Sequence, residues 1–245
     1  MSYESKTNGL MEQPTPAQRR RRREKTGRRV NPEFVILCAI LITLTAAVGV
    51  TAAVRLASSG ASSPEEAETN VPDSVRQDFL TPNEWSRPGD PLETVTGVVL
   101  HYVGNPGTSA QANRNYFESL SSGELQTYAS SHFIVGLEGE VVQCVPLTEI
   151  AYASNTRNAD TVSVEVCHPD EGGEYAPASY RTVVELTAWL CREFRLEPET
   201  DVIRHYDVTG KLCPLYYVEH EEAWTQLLDD IAAEIQIQEE AEKNS

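Results

Sequence analysis

The sequence predicts an α/β fold, a β-sheet with helices packed on it, preceded by one transmembrane helix. Three observations carry that expectation. Short β-branched runs alternate with segments of helical period between about residues 95 and 237, the pattern of strands interleaved with helices. Residues 34–54 (FVILCAILITLTAAVGVTAAV) form a 21-residue run without a charge, which matches the roughly 20 residues that span a bilayer core. Charge is also split along the chain. Residues 1–33 hold 9 Lys and Arg against 4 Asp and Glu, whereas residues 55–245 hold 11 against 33.

In order along the chain, VTGVVLHYV (95–103) reads as a core strand that ends at His101 and runs into Gly104-Asn105-Pro106-Gly107. Residues 109–120 read as a helix closing at Gly123. Residues 132–135 and 140–145 are two short strands joined by Leu137-Glu138-Gly139, a hairpin. Residues 162–167 form another strand. Val183, Leu186, Leu190 and Phe194 keep helical spacing before Pro198, and 202–205 is a short strand. Trp224, Leu227, Leu228, Ile231 and Ile235 line one face of a last helix. Trp189 and Trp224 fall on these apolar faces and read as core.

The segments around this unit divide as a basic cytoplasmic tail (1–33), the transmembrane helix (34–54), a flexible acidic stalk (55–92), the folded domain (93–237) and an acidic C-terminal tail (238–245). Arg19–Arg23 with Lys25, Arg28 and Arg29 precede the span. The positive-inside rule then places the N-terminus in the cytoplasm and the domain outside, as a single-pass cell-membrane protein. A cleaved signal peptide is the rival, with Ser59-Gly60-Ala61 as its site, but the apolar run exceeds the usual 7–15 residues. Cys38 lies inside the span as a small apolar group. Ser, Pro and Glu dominate the stalk, a composition that buries too little to fold alone.

Composition excludes several classes. Hydrophobic residues are 40% and charged residues 23% of 245, which is globular rather than disordered. Five cysteines without a C-x-x-C pair exclude a disulfide scaffold and a zinc ribbon. A formal net charge of −17 argues against nucleic acid as a partner, since phosphate affinity needs clustered Lys and Arg. No pattern fixes an oligomeric state, and a monomer is the expectation.

The residues that carry chemistry lie at strand ends. His205 and Cys213 are eight apart in RHYDVTGKLCP (204–214), and His101 ends the first core strand beside a glycine-rich loop. Two histidines and one cysteine leave an open position on a tetrahedral zinc, the pattern of a catalytic site. Taken alone, each of the three also reads as an ordinary hydrogen-bonded histidine or a buried thiol.

LHYVGNPG, SSHFIVGLEGEVVQCVP, DTVSVEVCHPD and RHYDVTGKLCP, in this order, resemble the zinc-dependent N-acetylmuramoyl-L-alanine amidases, a family akin to phage amidase-type lysozymes and peptidoglycan recognition proteins. The resemblance covers about residues 93–236. It implies a mixed central sheet flanked by helices, a Zn2+ cofactor, and peptidoglycan or its muropeptides as the partner, cut between the muramic acid lactyl group and L-alanine. It places His101, His205 and Cys213 at the zinc-ligand positions, Glu165 at the catalytic glutamate and Lys211 at a catalytic cation. Glu165 can take a proton from water and deliver it to the leaving amine; Lys211 can stabilise the oxyanion. Ser131 stands where some phage members carry a catalytic tyrosine, which leaves more of the proton transfer to Glu165.

Other residues read more plainly. His132, beside Phe133, is a hydrogen-bonded structural histidine rather than a fourth ligand. His168 either lines the groove near Glu165 or fixes a loop, and His220 is exposed at an acidic helix start. Asn155, Arg157 and Asn158 lie in a loop where stem-peptide contact is a weaker expectation. Cys144, Cys167 and Cys191 read as reduced core residues or as a disulfide pair with one left over. Two non-enzymatic alternatives remain: a zinc-containing module that binds muropeptides without cutting them, and an anchored assembly protein with an inactive fold.

Overall fold

The computed structural model describes residues 61–244. The basic tail and the apolar run 34–54, with its expected transmembrane helix, lie outside the described residues. Among the described residues, no helix is long and apolar enough to cross a membrane.

Six strands form one mixed sheet in the order β1-β4-β3-β5-β2-β6: β1 (Val75–Gln77), β2 (Gly97–Tyr102), β3 (Phe133–Val135), β4 (Val141–Gln143), β5 (Thr161–Val166) and β6 (Val202–Arg204). All neighbours pair parallel except β3 and β4. That pair is the expected hairpin, and Gly139 lets it turn. Its φ is +85°, and a Cβ there would lie 2.7 Å from Thr182 Oγ1, so glycine serves both the backbone angle and the close approach.

Strand alternation divides the sheet into two faces. Val98 and Leu100 of β2, with Val162, Val164 and Val166 of β5, pack under two long helices, Pro177–Phe194 and Glu221–Lys243. Trp189 and Trp224 are buried there, as their spacing predicts. The opposite face carries Ile134 and Val142 beneath a shorter helix, Ala110–Ser119, which also buries Ala110 and Phe117. This second face bears the chemistry, because His101 stands opposite Glu165 in the β2–β5 register. Both strands are covered on both sides; in β2 this matches the apolar run Val98-Val99-Leu100, whereas β5 alternates valine with Thr161, Ser163 and Glu165 on the face that bears the site.

In chain order the helices are α1 (Pro64–Thr69), α2 (Ala110–Ser119), α3 (Pro177–Phe194), α4 (Pro198–Asp201), α5 (His205–Thr209), α6 (Leu215–Glu219) and α7 (Glu221–Lys243). Single 3-10 turns lie at Leu120–Ser122 and Asn155–Arg157.

Two expected boundaries are corrected. Residues 61–92 are part of the fold rather than a flexible stalk. Ser63 and Glu66 form a capping box on α1, which buries Ala67 and directs Glu68 at β4. The Glu68 carboxylate accepts from the Leu147 amide at 2.6 Å and the Gln143 side chain at 2.9 Å. β1 then adds the sheet's edge strand beside β4, and Leu80 and Leu92 are almost wholly buried. This segment is too polar to fold alone, but it fills places on a sheet the rest of the chain already supplies. At the other end, α7 continues to Lys243 rather than giving way to a tail at 238. Gln238 Nε2 donates to the Glu185 carbonyl on α3 at 3.1 Å, and Arg192 of α3 pairs with Glu242.

Candidate metal centre and groove

β2, β5 and β6 run parallel, so their C-terminal ends open on one side, where α/β sheets place their ligands. His101 is the fifth residue of β2, Glu165 the fifth of β5, and His205 follows β6 directly. The loop after α5 returns Cys213 to the same point, where the Tyr206 amide donates to the Cys213 carbonyl at 2.9 Å. The ligand atoms of His101, His205 and Cys213 all lie within 4.8 Å of one another, and all three residues are buried. The structure therefore brings together the three residues singled out in the sequence as metal ligands.

The donor set fits a metal ion. His101 Nδ1 is 3.8 Å from Cys213 Sγ, close to the about 3.6 Å expected between a nitrogen and a sulfur at two corners of a zinc tetrahedron. His205 Nδ1 is buried with no hydrogen-bond partner. A buried polar atom without a partner is costly, and coordination would satisfy it. The outer nitrogens are occupied: His101 Nε2 meets Ser154 Oγ at 3.2 Å, and His205 Nε2 meets Asn155 Oδ1 at 3.0 Å.

Electrostatics agree. Burial, then the neighbouring His205 and Lys211, holds His101 well below the usual imidazole range. Burial and Lys211 lower His205 as well. Both rings are thus neutral, as ligation requires. Burial and the nearby Glu165 push the Cys213 thiol up to about 12, so without a cation it keeps its proton.

Glu165 is beside this cluster, with Oε1 at 3.9 Å from His101 Nδ1 and Oε2 buried without a partner. Burial raises its pKa to about 8, against the lowering effect of Lys211. Lys211 is exposed at the rim of the same groove, a cavity of about 390 Å3 also lined by Tyr102, Tyr128, Tyr152 and Asn155. Its ammonium makes no ion pair among the described residues.

The remaining sequence expectations resolve individually. His132 is structural: its Nδ1 accepts from the Ser163 amide and its Nε2 donates to the Glu149 carbonyl, each at 3.0 Å. His168 fixes a loop, with its two nitrogens on the Asp170 and Val103 carbonyls. His220 is not exposed but half-buried, because its ring stacks on Tyr216 at 4.3 Å. Ser131 points inward to the Ser163 carbonyl at 3.0 Å, away from a role as a proton donor. Cys144, Cys167 and Cys191 are free buried thiols. Arg157 is bound to Asp160 at 2.9 Å, and Asn158 closes its own loop. Sequence reasoning missed Ser154, and it missed Tyr128 and Tyr152 as groove walls. No periodicity marks them, since they come from irregular loops.

Comparison with known proteins identifies the relatives. A family model described as N-acetylmuramoyl-L-alanine amidase matches residues 91–216, just over half of the chain. N-acetylmuramoyl-L-alanine amidase BlyA of Bacillus subtilis is 30% identical over 177 residues, covering 64% of this chain and 46% of that protein. A probable N-acetylmuramoyl-L-alanine amidase of Bacillus licheniformis is 34% identical over 156 residues, covering 59% and 43%. The chain thus spans less than half the length of these curated relatives. Among solved structures, PlyL superposes with a TM-score of 0.55 at 20% identity, covering 64% of this chain and 96% of that one. The catalytic domain of XlyA gives 0.52 at 23%, covering 64% and 98%; both share the fold, including its mixed sheet and flanking helices. The chain belongs to the N-acetylmuramoyl-L-alanine amidase family.

Proposed function

We propose that this protein is a zinc-dependent peptidoglycan hydrolase that cuts the amide between the N-acetylmuramic acid lactyl group and L-alanine. The observation that carries the proposal is the convergence of His101, His205 and Cys213 beside Glu165 in one groove. Family membership supplies the bond and the substrate class. Residues 34–54 are proposed to hold the domain outside the cell membrane, on the strength of their length and the preceding arginines.

His101, His205 and Cys213 would hold the ion, which when bound acidifies water and polarises a carbonyl. The chain's own groups do the rest. Glu165, with a free buried Oε2, is placed to accept the proton of the attacking water; burial raises its carboxyl to about 8, and a cation held by the neighbouring ligands would lower it. As the C–N bond breaks, Glu165 delivers that proton to the leaving nitrogen, so that it departs as a neutral amine. Lys211 brings a positive charge to the rim, where the carbonyl oxygen gains negative charge. Tyr128 and Tyr152 wall the groove and orient the substrate.

Mass spectrometry of purified muropeptides after incubation tests the assignment. Lactyl-bearing glycan and a peptide with a free N-terminal L-alanine are the expected products. Cleavage at another amide would overturn the substrate assignment, and intact muropeptides that bind the zinc-loaded protein would make it a recognition module.

A further inference from the structure

His101 and His205 reach the centre from separate elements, yet one short turn meets both outer nitrogens. Ser154 Oγ stands 3.2 Å from His101 Nε2, and the next residue's Asn155 Oδ1 stands 3.0 Å from His205 Nε2. A neutral imidazole carries one N–H, and the acceptor it meets decides which nitrogen keeps it. Asn155 Oδ1 can only accept, so His205 donates from Nε2–H and keeps a lone pair on Nδ1; the Ser154 hydroxyl can accept or donate, and when it accepts from Nε2–H the His101 Nδ1 keeps a lone pair as well. His205 Nδ1 is the buried nitrogen without a partner, and His101 Nδ1 faces Cys213 Sγ.

The turn is built to hold this arrangement. Asn158 Oδ1 accepts from the amides of Ala153 and Ser154 at 3.2 and 2.6 Å. Arg157 pairs with Asp160 and also reaches Thr96 Oγ1 at 3.2 Å. Ser154 is almost wholly buried. Asn155 has a φ of +52°, a left-handed conformation that Asn, Asp and Gly tolerate far better than bulkier residues. The position therefore requires both an unusual backbone and a side-chain acceptor, and asparagine supplies both.

We infer that Asn155 is a positioning residue that fixes the Nε2–H tautomer of His205, and Ser154 one that holds the His101 ring by the same outer nitrogen, so that both Nδ1 atoms are preset as metal donors. The inference rests on the metal reading proposed above. Outer partners of this kind govern metal affinity by about 10–100-fold.

The left-handed backbone dictates the variants. Asn155→Gly removes the acceptor and keeps φ, while Asn155→Asp keeps both; Ser154→Ala is the matching deletion at His101. The full-length chain is compared by zinc affinity against a competing chelator, by histidine-selective 15N NMR of the metal-free protein, and by thermal unfolding. Asn155→Gly is expected to bind zinc about 10–100-fold more weakly and to shift His205 towards a tautomer mixture. Asn155→Asp is expected to stay within a few-fold of the parent and to keep the Nε2–H signature. Unchanged zinc affinity and an unchanged His205 signal in Asn155→Gly would overturn the inference. So would a loss in Asn155→Asp as large as in Asn155→Gly, since the amide nitrogen would then be the group that matters. If the parent chain bound no zinc, the metal reading would fall separately, and the NMR signature would still decide the hydrogen bonds. Should Asn155→Gly not fold, Ser154→Ala reports the same effect through His101.

Discussion

His132 offers a test of how the strand carrying Glu165 is held. The ring bridges the chain just before β3 to Ser163 on β5 and to the Glu149 carbonyl. One nitrogen accepts and the other donates, so the site is matched to the neutral ring. Burial lowers its pKa from 6.5 to about 4. The folded state therefore resists a proton that the unfolded chain takes up below pH 6.5. Stability from this group is fully present above 6.5 and is lost as pH falls towards 4, at about 1.4 kcal/mol per pH unit within that window. Between pH 7 and pH 5 the loss is about 2 kcal/mol. Urea unfolding of the metal-free parent and of His132→Gln, across pH 7 to 4.5, isolates the effect, because titrations common to both cancel in the difference. The parent's advantage should be greatest near neutrality and shrink by about 2 kcal/mol at pH 5. A difference that stays flat with pH would refute the neutral, enclosed histidine.

Other consequences follow from the same geometry. Glu165→Gln should lower kcat by about 10²–10⁴-fold while zinc content, measured by atomic absorption, stays near that of the parent. Cys213→Ala should lose bound zinc on dialysis where Cys191→Ala keeps it, and zinc affinity of the parent should weaken as pH falls, because thiol and imidazole must shed protons to ligate. A chain beginning at residue 93 should unfold at lower urea than one beginning at 61. It loses the burial of Val75, Leu80 and Leu92, at about 1.5–3 kcal/mol each; equal midpoints would show that α1 and β1 contribute nothing.

Much of the core was legible because its period is strong. β2 and β5 announce themselves as β-branched runs, and α3 and α7 as apolar stripes, since each buries a whole face. The hairpin was readable from Gly139, whose φ of +85° few other residues accept. His101, His205 and Cys213 were marked by strand ends and a short motif spacing, whereas Glu165 came only from the family resemblance, because its alternation with Val164 and Val166 also reads as a solvent-facing strand position. Residues 61–92 were misread because their contribution lies in a few isolated contacts rather than in a pattern: Ala67 on the buried side of α1, the Glu68 carboxylate on the Leu147 amide, and a three-residue β1. α5 and α6 are five residues each, too short for a period to show. Ser154 escaped, and Asn155 was read only as a candidate stem-peptide contact, for a related reason. Their significance is a pair of hydrogen bonds to histidines about fifty residues away, which only the fold creates.

The most direct test of the zinc-amidase account is release of L-alanine-terminated peptide from purified muropeptides by the chelator-stripped protein, before and after zinc is returned. The account predicts no release from the stripped protein, recovery with one equivalent of zinc, and no recovery in Cys213→Ala. Undiminished release from protein shown to be free of metal would contradict it.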